Sequence, residues 1–315
     1  MTETGADTSP EDAEHEVLSQ GRARGPLQPG EKVQLTDHKN RHHTFTLTVG
    51  QRFHTHRGWI EHDHMIGLDE GSVVESTSAI RYLVLRPQLR DLVLSMPRGA
   101  TVIYPKDSAQ IVGLLDLSPG DHVLEAGAGS GAMSMSLLRA VGAIGQVHSF
   151  ERRADFADVA RRNVESFLGA CPQWTLRVGD LNEEYSAAAY PPGTFDAAIL
   201  DMLAPWECLS TVHHALRPGG VLAVYVATAT QMSRTVESLR SSGSWREPES
   251  FELMLRNWHL EGLAVRPMHR MNGHTGFLVA TRRMAEGVAP VRKQSRPAKG
   301  AYPDDTVTSD GAWPN

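Results

Sequence analysis

The chain has 315 residues, of which 40% are hydrophobic and 22% are charged, and its formal net charge is −6. This composition fits a globular protein with one large and one smaller domain. It contains no run of eighteen apolar residues that would predict a transmembrane helix, and its acidic first sixteen residues do not have the pattern of a secretory signal. Two cysteines, Cys171 and Cys208, are too few for a disulfide framework, so we expect a reduced, cytoplasmic setting.

Basic residues are concentrated in two segments, although the chain as a whole is acidic. Residues 22–57 carry seven Lys and Arg against two acids, and residues 81–106 carry five against one. Local patches of this kind bind phosphates even in acidic proteins. An ordinary solvated surface has the same composition, so charge alone leaves both interpretations open.

The composition changes along the chain in a way that predicts two domains between two tails. Residues 1–25 read as a disordered acidic leader, and the proline-containing residues 287–315 as a disordered tail. Short stretches such as KVQLTD and HTFTLTV alternate apolar and polar side chains, which predicts a small antiparallel β domain over 26–80. The large domain is expected over 81–286, beginning with a connecting helical segment at 81–120.

From residue 107 onward, predicted strands alternate with predicted helices. The strands are expected at 122–127, 145–151, 174–180, 195–201 and 219–228, and the helices at 132–142, 154–168 and near 230–241. Two final strands, 260–267 and 276–283, are separated by too few residues for a crossover helix, so one of them should run antiparallel. The pattern predicts an α/β fold with a seven-stranded, mostly parallel, doubly wound sheet.

The segment VLEAGAGSGA, residues 123–132, is where the first strand of this sheet meets a glycine loop. Ligands of doubly wound sheets bind at this position. The loop contains G-x-G-x-x-A, which satisfies the dinucleotide pattern. However, the carboxylate of Glu125 disfavours an anionic pyrophosphate and suits the methionyl ammonium group of S-adenosylmethionine. The loop therefore favours a methyl donor over a dinucleotide. Its contact residues would be Gly127, Gly129, Ser130, Gly131 and Ala132.

Other side chains, at or just after the ends of the next two predicted strands, could contact an adenosyl group. Glu151 ends the second strand and could accept hydrogen bonds from both ribose hydroxyls, as acids of dinucleotide enzymes also do. Asp180 ends the third strand and could accept a hydrogen bond from the adenine amine, with Leu181 offering its backbone amide. Asp180 could equally be a turn former. Phe156 could pack on the adenine ring or face the core.

The segment AILDMLAPW places Asp201 at the carboxyl end of the fourth strand, followed by Pro205 and Trp206. Methyltransferases that act on nucleobase amines often hold the target nitrogen with an acid or amide and a Pro-aromatic pair. The spacing here, D-x-x-x-P-W, is looser than the D-P-P-Y type. Asp201 could accept the proton of an exocyclic amine, or it could cap the following helix.

Together these segments resemble the tRNA (adenine-58-N1)-methyltransferases of the bacterial and archaeal type, in particular actinobacterial members, over about residues 30–285. The more specific segments are MPRGATVIYPKD and LDMLAPW. The resemblance implies a class I S-adenosylmethionine-dependent methyltransferase domain behind a small β domain. It also implies a homotetramer, no metal, and formation of 1-methyladenosine in the T-loop of tRNA.

The resemblance also implies roles for individual residues. Asp201 would engage the target adenine, and Tyr104 and Tyr225 would lie around its pocket. The donor site would contain Gln110, the loop 127–132, Glu151, Arg152, Phe156, Asp180, Leu181 and Asp201. For an RNA substrate, the phosphate contacts predicted from charge are Arg52, Arg57, Arg81, Arg86 and Arg98.

Several alternatives remain open at the level of sequence. His54, His56, His62 and His64 have a spacing found among metal ligands, although solvated or core histidines are commoner and no cysteine accompanies them. A methyltransferase acting on a protein or small molecule would modify its substrate without RNA. An NAD-linked oxidoreductase would bind nicotinamide. A non-catalytic RNA-binding module would tolerate loss of Asp201.

Overall fold

A computed structural model describes residues 23–56, 58–99, 101–288 and 290–291. The acidic leader up to residue 22, Arg57 and the tail from residue 292 lie outside these ranges. The expectations of disorder in the leader and the tail therefore concern residues that are almost all outside the described part of the chain.

The N-terminal domain is a small antiparallel β structure. Its strands are β1 (Lys32–Thr36), β2 (His42–Thr46), β3 (Arg52–Thr55), β4 (Gly58–Glu61), β5 (Val73–Glu75) and β6 (Arg81–Leu85). Four of them form a sheet in the order β2-β1-β6-β5, while β3 and β4 form a separate hairpin. Val33, Leu35 and Val84 from this sheet are fully buried against Ile60 and Met65, which gives the domain its own core.

The small domain extends further than the sequence analysis expected. The segment RYLVL alternates exposed and buried residues, with Tyr82 and Val84 inside, and it forms strand β6 against β1. Because period-two burial is the pattern of a strand, residues 81–85 belong to the small domain. The boundary at residue 80 and the helical start of the segment 81–120 are therefore corrected.

Two helices connect the domains, and an α/β sandwich follows. The connecting helices are α1 (Leu89–Ser95) and α2 (Pro105–Leu114). The strands that follow are β7 (His122–Ala126), β8 (Gln146–Glu151), β9 (Trp174–Val178), β10 (Phe195–Asp201), β11 (Leu216–Val226), β12 (Glu249–Glu252), β13 (Trp258–Glu261), β14 (Ala264–Pro267) and β15 (Phe277–Arg282). The helices are α3 (Ala132–Val141), α4 (Ala154–Leu168), α5 (Leu181–Glu184), α6 (Leu209–Ala215) and α7 (Ala229–Ser242).

The central sheet has seven strands in the order β12-β15-β11-β10-β7-β8-β9. Strands β7 to β11 pair in parallel, and β15 runs antiparallel to β11, which confirms that one closing strand is reversed. The residues Ala197–Leu200 of β10 are all buried, as expected for a central strand with helices on both faces. None of the helices within the described ranges is long and apolar enough to cross a membrane.

The seventh strand of the sheet is not the predicted one. Residues 260–267 were expected in the sheet, but Gly262 adopts φ +53 and turns the chain, so that β13 and β14 pair only with each other. The edge position is taken by β12, which pairs with β15. The prediction was wrong because a central glycine in LEGLAVRP marks a hairpin turn rather than a continuous strand.

Candidate active site

The carboxyl ends of β7, β8, β10 and β11 lie side by side and form one end of the central sheet. Leu200 of β10 lies opposite Ala126 of β7, and Asp201 lies opposite Tyr225 of β11. The glycine loop 127–132 follows β7 directly. The sheet therefore brings the predicted loop, acid and tyrosine together.

The glycine loop passes very close to the end of β10. Gly127 adopts φ +88, and a Cβ atom there would lie 1.9 Å from the carbonyl oxygen of Asp201. Gly131 adopts φ +82, and its Cβ would lie 3.1 Å from the Val164 side chain. Gly129 also has a positive φ, +54, but more space around it. Because side chains are excluded at the first position by both conformation and space, the loop can approach a ligand with bare backbone.

Ser130 and Ala132 complete the loop and are buried. Asn163 of α4 donates from Nδ2 to the carbonyl oxygens of Ser130 and Pro97, at 2.9 Å each. The backbone N–H of Gly99 lies 3.4 Å from Ser130 Oγ. These bonds fasten the segment before α2 onto the glycine loop. Helix α3 begins at Ala132 without a side-chain cap, so its first N–H groups are left for water or a ligand.

Glu125 is buried beneath the loop, with an exposed fraction of 1%. The hydroxyl groups of Ser134 and Ser149 donate to its Oε2 at 2.6 and 2.5 Å, and burial raises the pKa of the carboxyl. Its other oxygen, Oε1, has no hydrogen-bond partner within the described part of the chain. A buried acceptor with no partner is costly. A donor on a bound ligand would therefore be favourable at this point.

Glu151 is also buried at the end of β8. The backbone N–H of Gly129 donates to its Oε2 at 2.8 Å, and that of Arg153 donates to its Oε1 at 3.1 Å. Each carboxylate oxygen can accept a further hydrogen bond. The carboxylate therefore supports the loop and keeps acceptor capacity for a ribose, which remains a prediction.

Asp180 acts as the N-cap of α5: its Oδ1 accepts the backbone N–H of Asn182 at 2.8 Å. Its Oδ2 lies 3.5 Å from Nε of the exposed Arg152. Leu181, the first residue of the helix, is buried. Asp180 therefore forms the turn that begins α5, which is one of its two predicted roles, and its contact with an adenine amine remains a prediction.

Phe156 lies on α4 between two neighbours. The Arg153 guanidinium carbon is 3.4 Å from the ring centroid, and a Cβ on Gly99 would lie 2.6 Å from Cε1 of the ring. One face of Phe156 is therefore covered by a cation, and packing on adenine remains a prediction. Gln110 is exposed on α2, and its contact with the donor also remains a prediction.

Asp201 is partly exposed at the tip of β10. Desolvation of its carboxyl, followed by the negative charges of Glu125 and Glu151, raises its pKa to about 7. The helical turn that follows, Pro205–Cys208, is preceded by Ala204 and has no side-chain cap bond. The capping interpretation of Asp201 is therefore wrong, and its carboxylate can act on a substrate.

Tyr225 is buried beside Asp201, and its hydroxyl donates to the carbonyl oxygen of Thr275 at 2.7 Å. Burial and nearby acids raise the pKa of this phenol. Tyr104 is half-buried immediately before helix α2. The Arg234 guanidinium carbon lies 4.1 Å from the ring centroid of Trp206, so one face of that indole is already covered.

A polar cluster that is joined to Tyr225 through Thr275 was not predicted from the sequence. Asp107 is 1% exposed, and Lys106 and Thr275 are bonded to it. Like Asn163, these are polar residues on helices or loops that give no periodic signal, and only the fold shows that they are buried.

The predicted phosphate contacts divide into two groups. Arg52 and Arg81 are exposed, each with one acidic neighbour, Glu61 at 2.8 Å and Glu75 at 3.9 Å, and Arg98 is also exposed. Arg57 lies outside the described residues.

Arg86 differs from the others because its side chain is only 12% exposed. It pairs with Glu31 at 2.8 Å and with Glu70 at 3.3 Å, and it donates to the carbonyl oxygens of Gly25 and Pro26. It holds the N-terminal segment onto the β domain. The expectation that Arg86 contacts phosphate is therefore corrected.

The four histidines with metal-like spacing are not brought together. His62 is buried, accepts the backbone N–H of Thr48 at 3.0 Å and stacks on Phe45. Across residues 23–291, apart from the undescribed positions 57, 100 and 289, no three His, Cys, Asp or Glu side chains form a group that could hold a metal ion.

The sheet order, the left-handed glycine loop and the acids after β7, β8, β9 and β10 define a class I methyltransferase that uses S-adenosylmethionine. The residues fit this donor. A Cβ on Gly129 would meet one atom within 4 Å, the Gly127 carbonyl oxygen at 3.9 Å, so the loop has room for a ligand there, and Glu125 Oε1, which has no hydrogen-bond partner within the described residues, suits the ammonium group. A family model described as the tRNA methyltransferase complex GCD14 subunit matches residues 80–262, and one described as TrmI-like N-terminal matches residues 25–74. The chain belongs to this family of tRNA methyltransferases.

Known relatives agree with this assignment. The tRNA (adenine(58)-N(1))-methyltransferase TrmI of Thermus thermophilus is 36% identical over 79% of this chain and 95% of its own length. The tRNA (adenine(57)-N(1)/adenine(58)-N(1))-methyltransferase TrmI of Methanocaldococcus jannaschii is 29% identical over 79% of this chain and 93% of its own.

Solved structures show the same two-domain architecture. The crystal structure of the tRNA (m1A58) methyltransferase TrmI of Aquifex aeolicus superposes with a TM-score of 0.72 at 27% identity, covering 83% of this chain and 100% of that one. A structure from Thermotoga maritima, described as a SAM-dependent O-methyltransferase, superposes with a TM-score of 0.78 at 28% identity, covering 87% and 98%.

Proposed function

We propose that this protein transfers a methyl group from S-adenosylmethionine to N1 of adenosine 58 in the T-loop of tRNA. The observation that carries the proposal is the placement of Asp201, whose carboxyl has a pKa of about 7 and lies at the sheet end beside the glycine loop. Membership of the tRNA methyltransferase family supports the choice of substrate.

The donor is held by residues at the carboxyl ends of three strands. Glu125 would accept from its ammonium group, Glu151 from the ribose hydroxyls and Asp180 from its adenine amine, and the loop that begins at Gly127 would contact it through backbone. When bound, S-adenosylmethionine supplies an electrophilic methyl group and leaves as a neutral thioether. The acids on this side of the pocket suit a cationic donor.

Asp201 acts on the target base. The N1 lone pair of adenine lies in the ring plane and is a weak nucleophile, and its alkylation places positive charge on the ring and the N6 amine. A carboxylate hydrogen-bonded to N6 stabilises this charge as it develops and can accept the proton. Because the pKa of Asp201 is about 7, the carboxylate form is substantially populated near neutral pH.

The target adenosine must leave its stacked position in the T-loop to reach Asp201. Tyr104 and Tyr225 would supply aromatic faces for the extruded base. Trp206 contributes less, since Arg234 covers one of its faces.

The RNA backbone is held electrostatically, away from the acidic pocket. The phosphate contacts proposed are Arg52, Arg57, Arg81 and Arg98. Arginines that contact phosphates displace counterions, which makes binding sensitive to salt.

We also propose that the protein assembles as a homotetramer and acts in the cytoplasm. The β13–β14 hairpin and its flanks expose large apolar side chains, which in a solitary chain would be left in water. They are Met254, Leu255, Trp258, Leu260, Leu263, Val265, Met268 and Met271. Light scattering should give four subunits for the wild type and a smaller species for Leu260→Glu; a wild-type monomer would contradict the assembly.

Methyl transfer to an unmodified tRNA transcript tests the proposed function. The transcript is incubated with labelled donor, digested to nucleosides and analysed by mass spectrometry. We expect 1-methyladenosine, and its absence from a matched transcript with uridine at position 58. If label enters protein or small molecules but not RNA, the result would favour the alternative function, a methyltransferase that acts on a protein or a small molecule.

A further inference from the structure

A buried hydrogen-bonded cluster lies behind the two tyrosines and has no assigned role. Lys106 Nζ donates to Asp107 Oδ1 at 2.7 Å, to Thr275 Oγ1 at 2.7 Å and to the carbonyl oxygen of Leu253 at 2.8 Å. Thr275 Oγ1 in turn donates to Asp107 Oδ2 at 2.7 Å. An ammonium group has three N–H donors, and each has a partner here.

The stability of the fold does not account for this arrangement. The side chains of Lys106 and Asp107 are only 14% and 1% exposed, so both charges have lost most of their hydration. A buried ion pair commonly stabilises a protein no better than apolar side chains of the same volume. What the cluster provides is a fixed geometry between chain segments that are far apart in sequence.

Those segments carry the two tyrosines of the proposed base pocket. Tyr104 immediately precedes α2, whose first turn contains Lys106 and Asp107. On the other side, Thr275 accepts the Tyr225 hydroxyl through its carbonyl oxygen at 2.7 Å. Thr275 therefore bonds to α2 through its side chain and to Tyr225 through its backbone.

The contact with Tyr225 is tight. A Cβ on Gly276 would lie 2.3 Å from Cζ of the Tyr225 ring, so the chain after Thr275 lies directly against that ring. Tyr225 is in register with Asp201 on the adjacent strand. A shift of Thr275 would therefore move the ring that neighbours the proposed catalytic acid.

We propose that the Lys106–Asp107–Thr275 cluster is a positioning device that sets the spacing of Tyr104 and Tyr225 for the target base. The part of this inference that concerns the target base rests on the proposed function. Because the cluster acts through the two tyrosines, its members are proposed as positioning residues rather than catalytic ones.

The test uses Thr275→Val, because removal of Lys106 would leave the buried charge of Asp107 without a counter-charge and could unfold the protein. The change removes the hydroxyl that joins the cluster and keeps the carbonyl that Tyr225 uses. Thr281→Val is the matched control: its buried hydroxyl donates to the Arg246 carbonyl oxygen at 2.6 Å, at the opposite end of β15. Both variants lose one buried hydroxyl from the same part of the chain.

Single-turnover methylation of tRNA at saturating donor should fall about 10- to 100-fold in Thr275→Val, as expected for a small misplacement of a pocket wall. Donor affinity, measured by calorimetry, should stay within about twofold, and Thr281→Val should keep the wild-type rate. Because Thr275 acts through Tyr225, Thr275→Val combined with Tyr225→Phe should be no slower than the slower single variant. Equal rates in the two threonine variants, or additive losses, would overturn the proposal.

Crystal structures of both threonine variants test the positioning of Tyr225 without the need for a tRNA substrate. A Tyr225 ring displaced relative to Tyr104 in Thr275→Val, and unmoved in Thr281→Val, supports positioning. An unmoved ring in both overturns it. If the wild type leaves tRNA unmethylated, the proposed function fails, and this comparison still decides whether the cluster positions Tyr225.

Discussion

Replacing Asp201 with asparagine should abolish most of the activity and at the same time stabilise the protein. Burial and the charges of Glu125 and Glu151 raise the pKa of Asp201 from 3.8 to about 7. Each pKa unit corresponds to about 1.4 kcal/mol, so ionised Asp201 opposes folding by at most about 4 kcal/mol. The side chain is partly exposed, and solvent screening reduces this to about 2 kcal/mol.

The sign of the effect depends on pH. Well below pH 3.8, Asp201 is protonated in both the folded and the unfolded chain, and its charge costs nothing. As the pH rises through 3.8 the unfolded chain ionises first, so the penalty on the folded state grows until about pH 7, above which it is constant. The stability gain of Asp201→Asn should therefore be small near pH 3.8 and full above about pH 7.

Thermal unfolding at pH 5 and pH 8 measures the stability difference, and tRNA methylation over the same range measures the activity. Wild-type turnover should rise with pH through about 7. The turnover of Asp201→Asn should be about 10²- to 10⁴-fold lower and should not rise with pH in this range. Asp158→Asn removes an exposed carboxylate on α4, so it controls for net charge. Near wild-type turnover in Asp201→Asn, or a variant less stable than wild type at pH 8, would refute the reasoning.

Three further outcomes follow from the geometry. Gly127→Ala should lose donor binding in calorimetry and more than about 3 kcal/mol of stability, because its Cβ would overlap the Asp201 carbonyl oxygen at positive φ. Arg86→Ala should lower stability by about 2 to 4 kcal/mol in denaturant titrations, because it leaves Glu31 and Glu70 unpaired, while tRNA affinity per folded molecule stays unchanged. Filter binding of tRNA should weaken about 50- to 150-fold between 50 and 200 mM salt if four arginines contact phosphates; a flat salt response would remove the RNA interpretation.

The strand-helix alternation and the glycine loop could be predicted because each depends on a local pattern. The strand 195–201 contains four consecutive apolar residues, 197–200, before the acid Asp201, and the loop 127–132 needs glycine for positive φ. The edge strand β12 could not be predicted in this way, since ESFE has no apolar run, and its place is set by pairing with β15.

The candidate site also contains residues that a local sequence pattern predicts and residues whose position only tertiary contacts decide. Asp201, Glu151 and Asp180 end consecutive strands and are visible in the sequence as acids after apolar runs. Arg86 is indistinguishable from Arg81 by sequence, yet one is buried between two carboxylates and the other is exposed. Which arginines are free to bind RNA is decided by tertiary contacts, which for Arg86 are with residues between 16 and 61 positions away.

The acidic pocket determines where RNA can bind. Glu125, Glu151 and Asp201 lie at the carboxyl ends of three neighbouring strands. Burial and the charge of Glu151 raise the pKa of Glu125, and burial and the charges of Glu125 and Glu151 raise the pKa of Asp201, which costs stability. The same negative charge suits a cationic donor and a base that becomes cationic as it is alkylated. It also repels phosphates, so the tRNA backbone has to be held elsewhere. In the proposed function, the exposed Arg52 and Arg81 of the small β domain take that task, which agrees with the excess of basic residues over 22–57 in this acidic chain.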